Sequence, residues 1–200
     1  MSPMVHRTRS QEELRVLLNE DRPWSLYALG DLAPGHSEHS EWLVARGPAP
    51  AVALLYRAFG TPILFTLGAP EAVAPLFDEI HDPRLFLSVR PEILPLVKRR
   101  RVVHDEEPMW RMILDPARFV PMPTPNAVRL RSSDLIADRQ RNARGEMADN
   151  PLDFFDPGMA DHGVFFGVYE GDDLVAVAGT HVVAPEEGVA AIGNVSTRAD

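Results

Sequence analysis

Three β-type runs within residues 163–200 constrain the fold of this chain more than any other feature of its sequence. The runs cover residues 164–169, 174–183 and 189–197, and short turns at 170–173 and 184–188 join them. Acidic residues and a glycine, which accepts a positive φ, suit the first turn to a tight hairpin reversal. The second and third runs are rich in valine and alanine with little alternation, a pattern typical of strands covered on both faces. We therefore predict a mostly antiparallel sheet with helices on both faces.

The residues before this sheet alternate between helical and strand patterns. Ser10 and Glu13 have the spacing of a capping box, and Pro23 suits the first turn of a second helix. Pro75 and Pro95 lie beyond the first turns of two later helices, so we expect kinks or shortened helices there. The further predicted elements are strands at 42–45, 51–56 and 63–67, a helix at 70–80, a strand at 85–89, a helix at 91–98 and a β-type segment at 102–114.

A proline-rich stretch marks a boundary between two domains. Residues 121–125 contain three prolines, which form an extended, semi-rigid spacer. We predict a first domain at 1–118, a linker at 119–126 and a second domain at 127–200. The second domain is expected to begin with a strand at 128–131, followed by a helix that Ser132 or Ser133 caps and on which Ile136, Ala143 and Met147 share a face.

The last residues of the third run resemble a known family. The stretch Ala191-Ile192-Gly193-Asn194-Val195-Ser196-Thr197-Arg198-Ala199-Asp200 resembles the GNAT superfamily of N-acetyltransferases at the strand before its phosphate-binding loop. That family continues into an Arg-Gly-x-Gly-x-Gly/Ala loop and a helix, and residue 200 precedes this loop. On this resemblance we expect the chain to contain an incomplete second domain, a fragment that is inactive as it stands.

The resemblance also implies a fold and a tandem arrangement. It implies an α+β fold of the acyl-CoA N-acyltransferase type, and the element order of the first half looks like a degenerate copy of the same fold. Where the family has its phosphate loop, this copy has Leu67-Gly68-Ala69-Pro70-Glu71. Proline removes an N–H donor and Glu71 repels a pyrophosphate at the helix start, so we expect no coenzyme A binding there.

The activity that the resemblance implies is transfer of an acetyl or other short acyl group from acyl-CoA to an amine. It assigns contacts with acetyl-CoA, the co-substrate, to the backbone of Val195, Ser196 and Thr197. The attacking amine must first lose a proton, and His181, or Asn194 through a water molecule, is the candidate for this step. A packed strand histidine and a structural asparagine remain open as alternatives. The alternative function is a noncatalytic module that binds acyl-CoA, an amine or another protein.

The acceptor pocket of the family lies between the first strand and the hairpin. In this chain the corresponding segment contains Glu146, Asp153, Phe154, Phe155 and Asp156. Carboxylates beside aromatic rings can hold an ammonium group, partly through cation–π contacts. Solvated loop acids and core aromatic residues would explain the same residues without a ligand.

Charge and composition limit the classes of partner and cofactor that this chain is expected to bind. The net charge of -9 opposes nonspecific binding to nucleic acid, and a small-molecule or peptide amine suits it better. The chain contains no cysteine, which excludes disulfides, and we expect no metal. It carries neither a signal-peptide pattern nor a membrane-span pattern, so the cytoplasm is the expected compartment. An unpaired edge of the last sheet would favour self-association.

Overall fold

A computed structural model describes residues 4–142 and 156–198. The chain divides into two compact units, Met1–Ile113 and Leu114–Asp200. The domain limits at 118 and 127 that the sequence suggested stay predictions.

The first unit is a five-stranded mixed sheet with short helices. Its strands lie in the order β1-β2-β3-β4-β5, antiparallel except for the parallel pair of β4 and β5. The strands are β1 (Met4–Thr8), β2 (Ser40–Arg46), β3 (Ala51–Tyr56), β4 (Ile63–Leu67) and β5 (Phe86–Ser88). The helices are α1 (Gln11–Leu18), α2 (Arg22–Gly30), α3 (Pro70–Val73) and α4 (Leu94–Lys98).

The central strands of this sheet are covered on both faces. Ala53 and Leu55 of β3 belong to a buried cluster with Val73 of α3 and Leu96 of α4. Leu54, which points to the opposite face, is also buried. Continuous apolar runs such as Ala51–Tyr56 are what a strand buried on both faces requires, and the predicted strands at 42–45, 51–56 and 63–67 are confirmed.

Caps and prolines set the helix limits as the sequence predicts. The Ser10 side chain accepts a hydrogen bond from the Glu13 N–H and begins α1, and Asp21 caps α2 with Pro23 in its first turn. The predicted helix at 70–80 changes into a 3₁₀-helix at Ala74–Glu79, which contains Pro75. The helix at 91–98 likewise begins as a 3₁₀ turn before Pro95. The expected shortening at both prolines is therefore confirmed.

The second unit is a four-stranded antiparallel sheet in the order β6-β7-β8-β9. Its inner face carries Phe165 and Leu174, which pack with Leu130, Leu135 and Ala160. The strands are β6 (Val128–Arg129), β7 (Phe165–Glu170), β8 (Asp173–Ala184) and β9 (Val189–Thr197), and the helices are α5 (Ser132–Asn142) and α6 (Met159–His162). The three predicted runs of the hairpins are thus confirmed as strands.

The described residues differ from the predicted elements in the following respects. Residues 102–114 form no strand, and β1 was missed because its short sequence, with exposed and half-buried residues, lacks a strong apolar run. On α5 the buried residue is Leu135, whereas Ile136 is exposed. In the part that the structure describes, no helix covers the outer face of the second sheet, where Phe166 and Ile192 are exposed. Small residues along β8 and β9 permit cover on both faces but do not require it.

The architecture establishes the fold class at a coarse level. A mixed sheet and an antiparallel sheet, each with helices, make this an α+β protein. Among the described residues, no helix combines the length and hydropathy needed to cross a bilayer.

Candidate functional site

The strand pair β8 and β9 brings several of the predicted site residues together. His181 lies on β8, and Asn194, Val195, Ser196 and Thr197 lie on β9. The pairing of the two strands is interrupted twice, and each interruption falls at one of the two predicted catalytic residues.

The first interruption is a bulge on β9. Val177 pairs with Ser196 and Gly179 with Gly193, so that Asn194 and Val195 together stand opposite the single residue Ala178. Asn194 has a φ of 52°, the one positive value of a non-glycine residue in the described chain. Asparagine tolerates this left-handed conformation better than most residues. A bulge frees backbone groups from the regular ladder and redirects the strand, and such bulges often lie beside active sites.

The second interruption is a bulge on β8. Thr180 pairs with Ile192 and Val182 with Ala191, which leaves His181 as the extra residue. The His181 side chain lies against Gly193: a Cβ on that glycine would be 2.9 Å from the His181 Cβ and 3.2 Å from Nδ1. Gly193 therefore makes the room in which His181 sits, and the residue that follows it is Asn194. The two predicted catalytic residues are brought to one place on the sheet.

The electrostatic setting of His181 favours the neutral imidazole. The ring is half-buried, and burial lowers the pKa of His181 below its ordinary value of 6.5. A neutral imidazole at pH 7 has a ring nitrogen able to accept a proton. This is the protonation state that a base at this position needs.

The Asn194 side chain is directed toward α6. Its Nδ2 donates to Met159 Sδ at 3.6 Å, and Met159 packs against the core of the second unit. This contact ties the bulge on β9 to the helix below the sheet. The Asn194 side chain therefore has a structural role. The backbone of the bulge at Asn194 and Val195 is not part of this contact.

The residues assigned to the co-substrate occupy the end of β9. Ser196 and Thr197 pair with Val177 and Ala176 of β8, and the side chain of Val195 is 67% exposed. Because β9 is the last strand in the order, its second edge faces no other strand among the described residues. Backbone N–H and C=O groups of β9 are thus available to an extended ligand along this edge.

The residues predicted to bind the acceptor cannot be placed. Glu146, Asp153, Phe154 and Phe155 lie outside the described residues. Asp156, the last residue of that set, is exposed and accepts a hydrogen bond from the Gly158 N–H at 2.6 Å. Its carboxylate stabilises the turn before α6.

A second polar cluster, in the first unit, was missed by the sequence reasoning. His36 Nδ1 lies 2.8 Å from the Tyr56 hydroxyl, and burial raises the pKa of the half-buried Asp31 to about 7. Burial and the charge of Asp31 raise the pKa of Tyr56 to about 12, and burial lowers the pKa of His36. Asp31, His36 and Tyr56 come from separate elements, so no local pattern in the sequence groups them. Among the described residues, no group of side chains is arranged to hold a metal ion.

Comparison of the chain with known proteins identifies no relative. No family model, no curated protein and no solved structure matches the chain. The two bulges and the residues that form them are therefore the features that indicate a function.

Proposed function

We propose that the second unit transfers an acetyl or other short acyl group from acyl-CoA to an amine of a small molecule or peptide. The observation that carries the proposal is the bulge at Asn194 and Val195, with His181 beside it on the neighbouring strand. This arrangement joins free backbone donors to a neutral base. A protein that catalyses aminolysis of a thioester needs both groups: donors for the carbonyl oxygen and a base for the amine.

The backbone of β9 would act on the thioester. As the amine nitrogen bonds to the carbonyl carbon, negative charge develops on the carbonyl oxygen, and an N–H at Val195, Ser196 or Thr197 would stabilise it. The C–S bond then breaks, and the coenzyme A thiolate takes up a proton to balance the one that the amine nitrogen loses on forming the amide. In other enzymes, removal of one fixed donor of this kind lowers kcat by a factor of ~10²–10³.

His181 would act on the amine. An alkyl ammonium has a pKa of about 10.4 and cannot attack until it has lost a proton. The neutral imidazole of His181 would accept this proton directly or through water, and the lowered pKa of His181 keeps it ready to do so at neutral pH. Asn194, held to Met159, would position the bulge and could orient the water molecule.

The alternative is a noncatalytic module that binds acyl-CoA, an amine or a protein. The observation in its favour is the exposed apolar side of β9, where Ile192 and Val195 are 77% and 67% exposed. Exposed apolar patches mark interaction surfaces more often than catalytic centres. Binding without turnover would be the sign of this function.

A titration of the ¹⁵N-labelled chain with S-acetylpantetheine tests the proposal. This probe carries the thioester and the arm that β9 would contact, without the phosphates. We expect the largest amide shifts at Val195, Ser196 and Thr197. Val195→Pro, which removes one N–H, should abolish these shifts, whereas Val195→Ala, which keeps the N–H, should preserve them.

Thiol release separates the two functions. Because the chain has no cysteine, any thiol that forms on adding an alkylamine comes from the probe. Release that falls in His181→Ala and not in the exposed control His162→Ala supports transfer. The absence of amide shifts at β9 at millimolar probe would refute the proposed site in both forms.

A further inference from the structure

A polar and aromatic cluster lies in the first unit, where the loop after α2 meets the end of β3. The cluster consists of Asp31, His36, His39 and Tyr56. Ser40 stands opposite Tyr56 in the pairing of β2 and β3. The Ser40 hydroxyl lies 3.3 Å from the backbone carbonyl oxygen of Asp31 and 3.0 Å from that of His36. These contacts hold the loop beside Tyr56.

The Asp31 carboxylate has no partner of its own. Among the residues that the structure describes, no hydrogen bond or ion pair involves this side chain, although the residue is half-buried. Arg57, directly after β3, does not serve as its counter-ion, because the Arg57 guanidinium pairs with Glu41 at 2.8 Å and with Asp82 at 2.6 Å. A carboxylate withdrawn from water without a partner is costly. A cation from outside the chain would therefore stabilise it.

Three rings pack around Tyr56. The centre of its ring lies 6.1 Å from that of His36, 6.3 Å from that of His39 and 5.9 Å from that of Phe59. His36 Nδ1 and the Tyr56 hydroxyl are 2.8 Å apart and share a hydrogen bond. The other three ring residues are exposed, so a small molecule can reach them from solvent. Ring faces attract cations, and a phenol oxygen accepts hydrogen bonds from N–H donors.

The charges of the cluster select a cation. Burial and the neighbouring His39 lower the pKa of His36, so this imidazole is neutral at pH 8. Burial and the charge of Asp31 raise the pKa of Tyr56 to about 12, which keeps the phenol neutral as well. Asp31, whose pKa burial raises to about 7, is ionised at pH 8, and the exposed Glu38 adds a second negative charge to the loop. Repulsion therefore excludes an anion, and the described residues include no group arranged to hold a metal ion.

We propose that this cluster binds a small primary ammonium ion from solvent. The ammonium group lies against the Asp31 carboxylate and donates an N–H to the Tyr56 hydroxyl. Its alkyl chain packs on the exposed rings of His39 and Phe59. The ligand thus supplies the positive charge that the described chain does not place at Asp31. The site belongs to the first unit, so it does not depend on acyl transfer in the second unit.

A titration of the whole chain with n-butylammonium chloride at pH 8 tests this site, with the histidine ring resonances as the readout. Butan-1-ol, which has the same shape and no charge, is the matched control ligand, and sodium chloride keeps the ionic strength constant. We expect butylammonium to shift the His36 and His39 signals in a saturable way with a Kd of roughly 1–10 mM. Butan-1-ol should bind at least about tenfold more weakly.

Three variants test the assigned groups. Asp31→Asn keeps the shape of the side chain and removes its charge, so it should raise the Kd for butylammonium at least about tenfold. Glu38→Gln removes an exposed charge of the same loop and should change the Kd less than about twofold. Tyr56→Phe retains the ring and removes the hydroxyl, and it should weaken binding severalfold.

The same measurements can overturn the proposal. Equal affinity for butan-1-ol and butylammonium would overturn it, and so would an Asp31→Asn variant that binds butylammonium as tightly as the wild type. His36 and His39 signals that do not move at about 100 mM butylammonium would overturn it as well. Shifts of the His181 signals alone would place the amine at the site of the proposed acyl transfer instead.

Discussion

At the scale of single residues, Asp31 carries the largest resolved change in acidity of a carboxyl group in the described chain. Burial raises its folded-state pKa to about 7 from an ordinary value of 3.8. Between these two values the folded chain retains a proton that the unfolded chain has lost, so the free energy of unfolding falls as the pH rises. The loss is complete above about pH 7 and amounts to at most about 4 kcal/mol.

Asp31→Asn should remove this pH dependence. We expect the variant to be about as stable as the wild type at pH 4 and more stable at pH 8, measured as the free energy of unfolding in urea. The lowered pKa of His36 acts in the opposite direction below about pH 6.5, and it cancels in the difference between the two proteins. Glu38→Gln, in the same loop, is the control; a gain at pH 8 no larger than that of the control would contradict the prediction.

A second prediction at the residue scale concerns the space that Gly193 leaves for His181. A methyl group there would be 2.9 Å from the His181 Cβ, so that Gly193→Ala must displace the histidine or the strand. We expect a loss of stability of about 1–3 kcal/mol and a shift of the His181 ring resonances. Gly47→Ala, where nothing lies within 4 Å of the added Cβ, is the matched control. Unchanged His181 resonances in Gly193→Ala would show that the ring does not depend on this glycine.

At the scale of elements, the sequence predicts those structures whose causes are local. Three predicted features are confirmed: the apolar run of β3, the Ser10 cap of α1 and the glycine turn before β8. Each of them is formed by residues that are only a few positions apart in the sequence. Residues 102–114 contain apolar runs on both sides of a polar stretch at 104–108, yet they form no strand. A strand requires a partner, and residue type alone does not supply one.

In the candidate site too, contacts between residues that are distant in the sequence were not predicted. Gly193 lies directly before the bulge at Asn194 and Val195 and leaves room for the His181 side chain, and both features depend on how β9 pairs with β8. The contact of His36 with Tyr56 joins residues twenty positions apart and had no pattern to predict it. The contact of Asn194 with Met159 joins a strand to a helix of only four residues, which the periodicity of the sequence could not predict either.

At the scale of the whole molecule, the two compact units have cores of different size. The first unit contains a large buried cluster from three strands, two α-helices and the turns beside them, whereas the cluster of the second unit centres on Phe165 and Leu174. Burial of apolar area is the main source of stability, so we expect the second unit to open at a lower free energy than the first.

Amide hydrogen exchange with a matched pair of substitutions tests this difference. Phe165→Leu and Phe65→Leu each truncate a buried phenylalanine, one in each unit, and each should cost about 1–3 kcal/mol. We expect Phe165→Leu to accelerate exchange in β7 and β8 and to leave β3 and β4 unchanged. Phe65→Leu should do the reverse. Equal acceleration of exchange in both sheets by either variant would show that the units unfold together as one cooperative structure, because a local loss of packing would then have been shared by the whole chain.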